Sequence, residues 1–487
     1  MNAARHERNW ITTCLDHLAR RTVAAPTARR GAGSALLLLV LIASMLVPVT
    51  AVAEQSTWRA GAAKVNITPT ESMWMSGYAS RNQPSEGTLI DLWGKALVLE
   101  DTVGVRVAVV TLDLVGIDRD FSLAIRREIE KRTGLPAERV ALCCSHTHTG
   151  PVVGENLRAM YFLDDEQAER ARDYSRALPA KLAGAVAAAV DDLRPAGVAW
   201  AQGTADFAVN RRNNSEAEVP ELRERGELRG PVDHSVPVLA VHRLDTGALH
   251  AVLFGYACHA TTLSSYEWSG DYPGFAQLKL EAAHPGATAL FFAGCGADQN
   301  PLPRRTVDLA RSYGERLAAA VEATLAGETK PVRGPLAVEY REIEIPFGQL
   351  PTRDELASQA ESNDRYIASR ARQLLGQIDA GRPLSPTYPY PVQTWRLDPD
   401  LLFVTLGGEV VVDYALRLKV ELEPKTAFIA GYTNDVMAYI PSRRVLAEGG
   451  YEGGGAMVYY GLPCPWAPEV EETIVRAVKA EADAIKK

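Results

Sequence analysis

Cysteine is scarce in this chain and poorly placed for cross-linking, with six in 487 residues. Cys14 lies near the N-terminus, Cys143 and Cys144 are neighbours, Cys258 and Cys295 sit at the ends of apolar runs, and Cys464 stands in a Pro-rich turn. No CxxC spacing exists, and a chain long enough for a large core needs no disulfide staples, so buried free thiols are expected. Positive charge is short as well: 52 Lys and Arg face 60 Asp and Glu, for a net charge of -8 and a pI of about 5.7. No basic stretch interleaved with aromatics occurs, and nucleic-acid binding is thereby excluded. Internal repeats are lacking, and compositional bias is confined to Ala-rich helical stretches.

What is present is ordinary globular material. A content of 47% hydrophobic and 23% charged residues excludes a disordered or fibrous chain. Near the start, Arg20, Arg21, Arg29 and Arg30 precede an apolar run from Ala35 to Val49, followed by Ala51-Val52-Ala53. A positive region, an apolar stretch of about fifteen residues and a small-x-small site predict a secretory signal rather than a span, which needs roughly twenty. Residues 1–53 are expected to be a leader cleaved after Ala53, giving a secreted or periplasmic product. Residues 54–487 are expected to form a single domain.

Along that domain, apolar runs alternate with helical patterns. Strands are predicted at 105–115, 140–144, 236–241, 249–257, 288–292, 401–406 and 427–430. Helices are predicted at 122–132, 167–193, 308–325 and 410–420, with a closing helix from Pro468. Asp245-Thr246-Gly247 supplies a hairpin turn. The alternation predicts an α/β fold of layered sheets with flanking helices, its ligand groups gathered where strands end. Residues 349–382, charged and poor in large apolar side chains, read as an exposed helical insertion.

Chemistry concentrates in Ser145-His146-Thr147-His148-Thr149-Gly150-Pro151, directly after a buried strand. In an extended HxH both rings project to one side, so one can bind a metal while the other stands beside it. Two polar loop histidines with no ligand fit the bare motif equally well. Context adds to it: His259 ends the apolar run VLFGYACH, and Glu409 follows Gly407-Gly408 at the end of another. The glycines remove bulk and let a carboxylate sit close in a cleft. Three strand ends thus deliver His, His and Glu, the ligand set of a catalytic zinc site with one position left open.

Further segments stand in fixed order with these. They are Met75-Ser76-Gly77-Tyr78-Ala79, Asn210-Arg211, Ser269-Gly270-Asp271 after His259, Gly408-Glu409, and Asn434 to Ile440 (NDVMAYI). Together with Ser145 to Pro151, where Thr149 replaces a usual Ser, they resemble the ordered motifs of the neutral/alkaline non-lysosomal ceramidase family. The resemblance runs from Ala62 to about Gly461 and implies a ceramidase-like catalytic domain. It implies Zn2+ held by His146, His259, Glu409 and Tyr439, with His148 beside the metal as proton donor or hydrogen-bond partner. It also implies that Arg211 stabilises the oxygen that turns negative when a carbonyl is attacked. Without the resemblance, Tyr439 reads as a half-buried aromatic and Arg211 as a surface ion pair.

The implied reaction is amide hydrolysis by metal-activated water, as in cleavage of N-acylsphingosine to sphingosine and fatty acid. The implied partner is an amphipathic or small-molecule amide, with peripheral membrane contact. Zinc lowers the pKa of bound water from 15.7 to about 7 and polarises the carbonyl. A fixed cation at the oxyanion is worth about 3 kcal/mol, and a neutral imidazole can pass a proton to the leaving amine.

Three departures from the family matter. Its Gly-Asp-Val-Ser-Pro-Asn becomes Gly294-Cys295-Gly296-Ala297-Asp298-Gln299-Asn300-Pro301, with Gln299 or Asn300 at the serine position. A mechanism needing that hydroxyl cannot run here, whereas a zinc-water mechanism can. Leu89 stands where a histidine is common, and the family's C-terminal immunoglobulin-like domain is expected to be absent. Two other readings remain: a hydrolase using Cys295 as nucleophile with His259 or His148 as base, and a non-catalytic binding protein of the same fold.

Overall fold

Successive residues of the central strands enter two different cores, which is why those strands read as unbroken apolar runs. The computed structural model describes residues 57–424 and 426–486; the expected leader and Cys14 lie outside them. Strands β1 (Arg59–Asn66), β2 (Trp93–Glu100), β3 (Arg106–Leu112), β4 (Val140–Cys144), β5 (Arg194–Thr204), β6 (Ser235–Arg243), β7 (Leu249–Tyr256) and β8 (Thr288–Ala293) form the larger sheet. Their order is β8-β7-β6-β5-β1-β2-β3-β4, with Lys330–Pro331 added against β5. Strands β9 (Ala337–Pro346), β10 (Thr387–Asp398), β11 (Leu401–Leu406) and β12 (Ala427–Ala430) form a second sheet in that order. Pairs β3–β4, β7–β8 and β11–β12 are parallel.

The layers follow from the side chains. From β2, Ala96 and Val98 enter a core shared with helices α1 (Arg119–Thr133), α2 (Asp165–Asp191), α3 (Asp271–Ala283) and α4 (Val307–Ala326). Leu97 and Leu99 face the other way, into a core between the two sheets. There Phe292 of β8 meets Phe403 of β11 with ring centroids 5.4 Å apart. Burying such a side chain contributes about 1.5–3 kcal/mol. Helices α5 (Arg353–Ala360) and α6 (Arg365–Asp379) pack on each other through Leu356, Ala371 and Leu374. Helices α7 (Val412–Glu421) and α8 (Val470–Ala484) cover the outer face of the second sheet, where Leu418 and Ile474 join Val392 and Val404. The result is helices, sheet, sheet, helices: an α/β fold of layered sheets.

Local chemistry sets the helix ends. The Asp118 side chain accepts from Phe121 N to start α1, and Gly134 at φ 73° closes it. Thr352 and Glu355 form a capping box at α5. Two boundaries differ from the sequence reading. β3 stops at Leu112 because Leu114 O and Val115 O turn to serve His146. α7 begins at Val412 because Glu409 and Val410 pair with Tyr439 and Ile440 instead. Among the described residues no helix is long and apolar enough to cross a membrane. Cys143, Cys144, Cys258, Cys295 and Cys464 are buried free thiols.

One connection organises the site. After β12, Gly431 N donates to Ala293 O at the end of β8, and Cys144 N donates to Tyr432 O at the end of β4. Both edges of the larger sheet are therefore tied to one segment, which brings the loops after β4 and β7 together.

Candidate active site

His146 reaches the site through a turn, not an extended strand. Its φ is +59°, which corrects the alternating HxH geometry expected from the sequence. The αL residue is held by His146 N to Leu114 O at 3.0 Å and Nδ1 to Val115 O at 2.5 Å. The rings of His146 and His148 still converge, with their Nε2 atoms 3.1 Å apart. His259 follows β7 and is fixed by its N–H to Gln299 O at 3.0 Å and Nδ1 to Gly296 O at 2.8 Å. Glu409 and Tyr439 arrive side by side in the short parallel ladder Glu409–Val410 against Tyr439–Ile440.

These groups meet in a small buried volume. Glu409 Oε2 lies 3.1 Å from Nε2 of both His146 and His259. His259 Nε2 lies 3.3 Å from the Tyr439 hydroxyl. The ligand atoms of His146, His148 and His259 all fall within 4.8 Å of one another. Arg211 Nη2 donates to the Tyr439 hydroxyl at 3.1 Å, its Nε pairs with Glu452 at 2.7 Å and its Nη1 reaches Asn300 Oδ1 at 3.3 Å. Arg211 is thus ion-paired, as the plainer sequence reading had it, and also faces the cluster. All six residues singled out in the sequence stand together.

Electrostatics favour a cation here. His146 and His259 each donate Nδ1–H to a backbone carbonyl, which leaves both Nε2 lone pairs aimed at Glu409 Oε2. Two lone pairs facing a buried carboxylate repel it unless a proton or a cation lies between. Burial, and next Arg211, lower His259 to about 4, which disfavours the proton. Zinc bonded at 2.0–2.2 Å in a tetrahedron would separate its ligand atoms by about 3.3–3.6 Å, slightly more than the 3.1 and 3.3 Å observed. The donor set fits such an ion. Outer partners are present too: Tyr460 OH donates to Glu409 Oε1, and Trp466 Nε1 donates to Tyr439 O at 2.8 Å.

A cleft of about 640 Å³ opens above the cluster, walled in part by Gly77, Tyr78, His148, Arg211, Asn300 and Tyr451. Burial, and next His146, hold His148 well below its ordinary pKa, so the ring is neutral. Gly77, at φ 94°, lies flat against it: a Cβ there would come 2.5 Å from His148 Nδ1. Asn300 rather than Gln299 takes the position next to the site, its Oδ1 accepting from Arg211 and from Thr261 Oγ1 at 3.4 Å. Gln299 is fully buried and accepts from Asp233 N at 3.3 Å. Leu89 packs beside Leu263 and Phe275.

Cys295 does not have a nucleophile's surroundings. It is buried in the core under the second sheet, and burial pushes its thiol far above the usual range. Three neighbours went unrecognised in the sequence. Tyr432, at φ +52°, sets its ring 4.3 Å from that of His146. Tyr460 holds Glu409, and Glu452 holds Arg211.

Two layered sheets with a buried cluster of imidazoles, carboxylate and phenol at their strand ends define an α/β protein with a metal-competent hydrolytic centre. The chain belongs to the neutral/alkaline non-lysosomal ceramidase family, whose N-terminal model matches residues 58–342. His146, His148, Arg211 and His259 fall inside that match, and Glu409 and Tyr439 beyond it. A neutral ceramidase of Pseudomonas aeruginosa is 23% identical over 517 residues, covering 90% of this chain and 73% of that protein. The fold is similar to that of a ceramidase complexed with C2, with a TM-score of 0.70 at 19% identity over 88% of this chain and 75% of that one. The crystal structure of neutral ceramidase from Pseudomonas aeruginosa matches with a TM-score of 0.68 at 21% identity, over 88% and 74% of the two chains. The protein is a ceramidase-family hydrolase.

Proposed function

We propose that this hydrolase cleaves the amide bond of an N-acylated, amphipathic substrate of ceramide type, using Zn2+ held by His146, His259, Glu409 and Tyr439. The observation that carries this reading is Glu409 Oε2 lying 3.1 Å from two imidazole nitrogens whose lone pairs face it. Such an ion, when bound, supplies Lewis acidity and a water with pKa near about 7. The remaining work falls to the chain. Arg211, fixed by Glu452 and Asn300, offers its guanidinium to the oxygen that gains charge, an interaction worth about 3 kcal/mol. His148, a neutral imidazole on the cleft wall, takes a proton from the attacking water and then passes it to the departing nitrogen. Asn300 stands near the position of the family's serine and has no hydroxyl to ionise, so its part is to orient Arg211. Secretion belongs to this reading and rests on the leader pattern alone.

The test is elemental analysis joined to activity. Purified protein should carry about one zinc per chain and lose it in His146→Ala. Release of sphingosine from N-acylsphingosine should stop with EDTA and return with added Zn2+. Activity that survived EDTA and fell to a thiol reagent would overturn the metal reading.

A further inference from the structure

The cleft above the cluster is lined by charged groups and aromatic rings, with little aliphatic surface. Leu302 is the one large aliphatic residue on its described wall, which also carries three tyrosines beside four arginines and three glutamates. Those charges do not cancel evenly. Glu452 binds Arg211 at 2.7 Å and Arg212 at 2.6 Å, Glu448 also binds Arg212 at 3.0 Å, and Glu216 binds Arg304 at 3.0 Å. Arg305, exposed at the mouth, has no ion pair among the described residues. Its guanidinium lies 5.6 Å from the Tyr78 ring, and its Nη1 makes a 3.5 Å contact to the Tyr78 hydroxyl.

The backbone aims this free cation. Arg305 sits at φ +94°, in a region readily occupied only by glycine, and is anchored there by its N–H to Thr262 O at 2.7 Å. A strained residue at a cleft mouth calls for a functional reason. Arg81 adds to the local field: buried and bonded to Ser265 O and His148 O, it stacks 5.4 Å from the same Tyr78 ring, with no carboxylate partner among the described residues. Tyr78 in turn contacts His148, with ring centroids 4.7 Å apart. Arg305 therefore stands on the His148 side of the cleft, where the amine leaves.

We propose that the amine half of the substrate carries an anionic group, a carboxylate or a phosphate, which docks on Arg305. This rests on the amide-hydrolase reading of the site and deepens it, placing amides with an anionic amine half ahead of uncharged N-acylsphingosine. A guanidinium presents paired donors suited to either oxyanion. One charge-assisted contact of this kind is worth roughly tenfold or more in affinity.

The test separates docking from turnover by using hexanesulfonamides, which resist hydrolysis. The hexanesulfonamides of phosphoethanolamine, 4-aminobutyrate and uncharged ethanolamine are titrated calorimetrically into the zinc-loaded protein and into Arg305→Gln. At least one charged compound should bind roughly tenfold tighter than the ethanolamine compound, with the advantage shrinking as salt rises and disappearing in Arg305→Gln. Whichever anion binds more tightly identifies the group. Equal binding of all three, or a preference unchanged in Arg305→Gln, overturns the proposal. A preference that holds while the matching hexanoyl amides stay uncleaved would leave the anion site standing and defeat the hydrolase reading instead.

Discussion

Glu409 and Tyr439 are register partners in a parallel ladder only two residues long. That ladder brings a carboxylate and a phenol from separate loops to one buried point. It is held by Glu409 N to Ala438 O and Gly408 N to Asp435 O, both 2.7 Å. Its tight approach depends on Gly408, which sits at φ 74° where a Cβ would come 2.5 Å from Ile440 Cγ1 and 2.7 Å from Ala438 O.

Gly408→Ala should therefore cost stability and disturb the ligands together. Left-handed backbone strain and overpacking against Ile440 sum to about 2–4 kcal/mol. The urea midpoint and the zinc content should both fall. A variant with an unchanged midpoint and full metal occupancy would show that the ladder tolerates a side chain and is not the device that sets the ligands.

The three histidines should separate into two kinds. His146→Ala and His259→Ala are expected to abolish zinc binding, because each removes a nitrogen lying 3.1 Å from Glu409 Oε2. His148→Ala should keep the metal and slow amide hydrolysis by about 10²–10⁴-fold, the usual span for a general acid. Equilibrium dialysis with Zn2+ decides the matter. Loss of zinc from His148→Ala would make the ligand set three histidines and remove His148 from proton transfer.

Much of this site was legible because its strands are short, apolar and buried on both faces. The predicted strand 140–144 coincides with Val140–Cys144, and strands 401–406 and 427–430 likewise match Leu401–Leu406 and Ala427–Ala430. The loops that follow such strands carry His146 and Glu409, so the chemistry was visible where the runs ended. Strand Ala337–Pro346 was missed because its charged sequence, AVEYREIEIP, covers a half-exposed edge. Strand Arg194–Thr204 was missed because Pro195, Gly197 and Gly203 interrupt its pattern. The αL turn at His146 has no glycine to announce it. Tyr432, Tyr460 and Glu452 gain their roles from partners distant in sequence, and nothing local distinguishes them from core tyrosines or a surface acid.

Tyr460 offers a test of the outer support. Its hydroxyl donates to Glu409 Oε1 inside the core, fixing the carboxylate so that Oε2 faces the histidines. Tyr460→Phe removes that donor while keeping the ring. Zinc affinity should weaken by about 10–100-fold, as for other lost ligand-orienting contacts, with the fold intact by circular dichroism. Unchanged affinity would mean that the ladder alone orients Glu409.

Away from the site, Glu481 on α8 should contribute a distinct share of the pH dependence of stability. It is fully buried, accepts from Thr394 Oγ1 at 2.8 Å, and burial raises its pKa from 4.5 to about 7. The folded state therefore holds a proton that the unfolded chain releases. Below pH about 4.5 both states are protonated and Glu481 contributes no pH dependence. Between about 4.5 and 7 the unfolded chain ionises first, so stability falls as pH rises, by about 3 kcal/mol in all, and levels off above the folded value. Glu481→Gln keeps an acceptor for Thr394 and cannot ionise. It should match the parent near pH 4.5 and exceed it increasingly up to pH 8, as read from urea midpoints across that range. A difference between the two proteins that stayed constant with pH would mean that Glu481 is already ionised in the folded core.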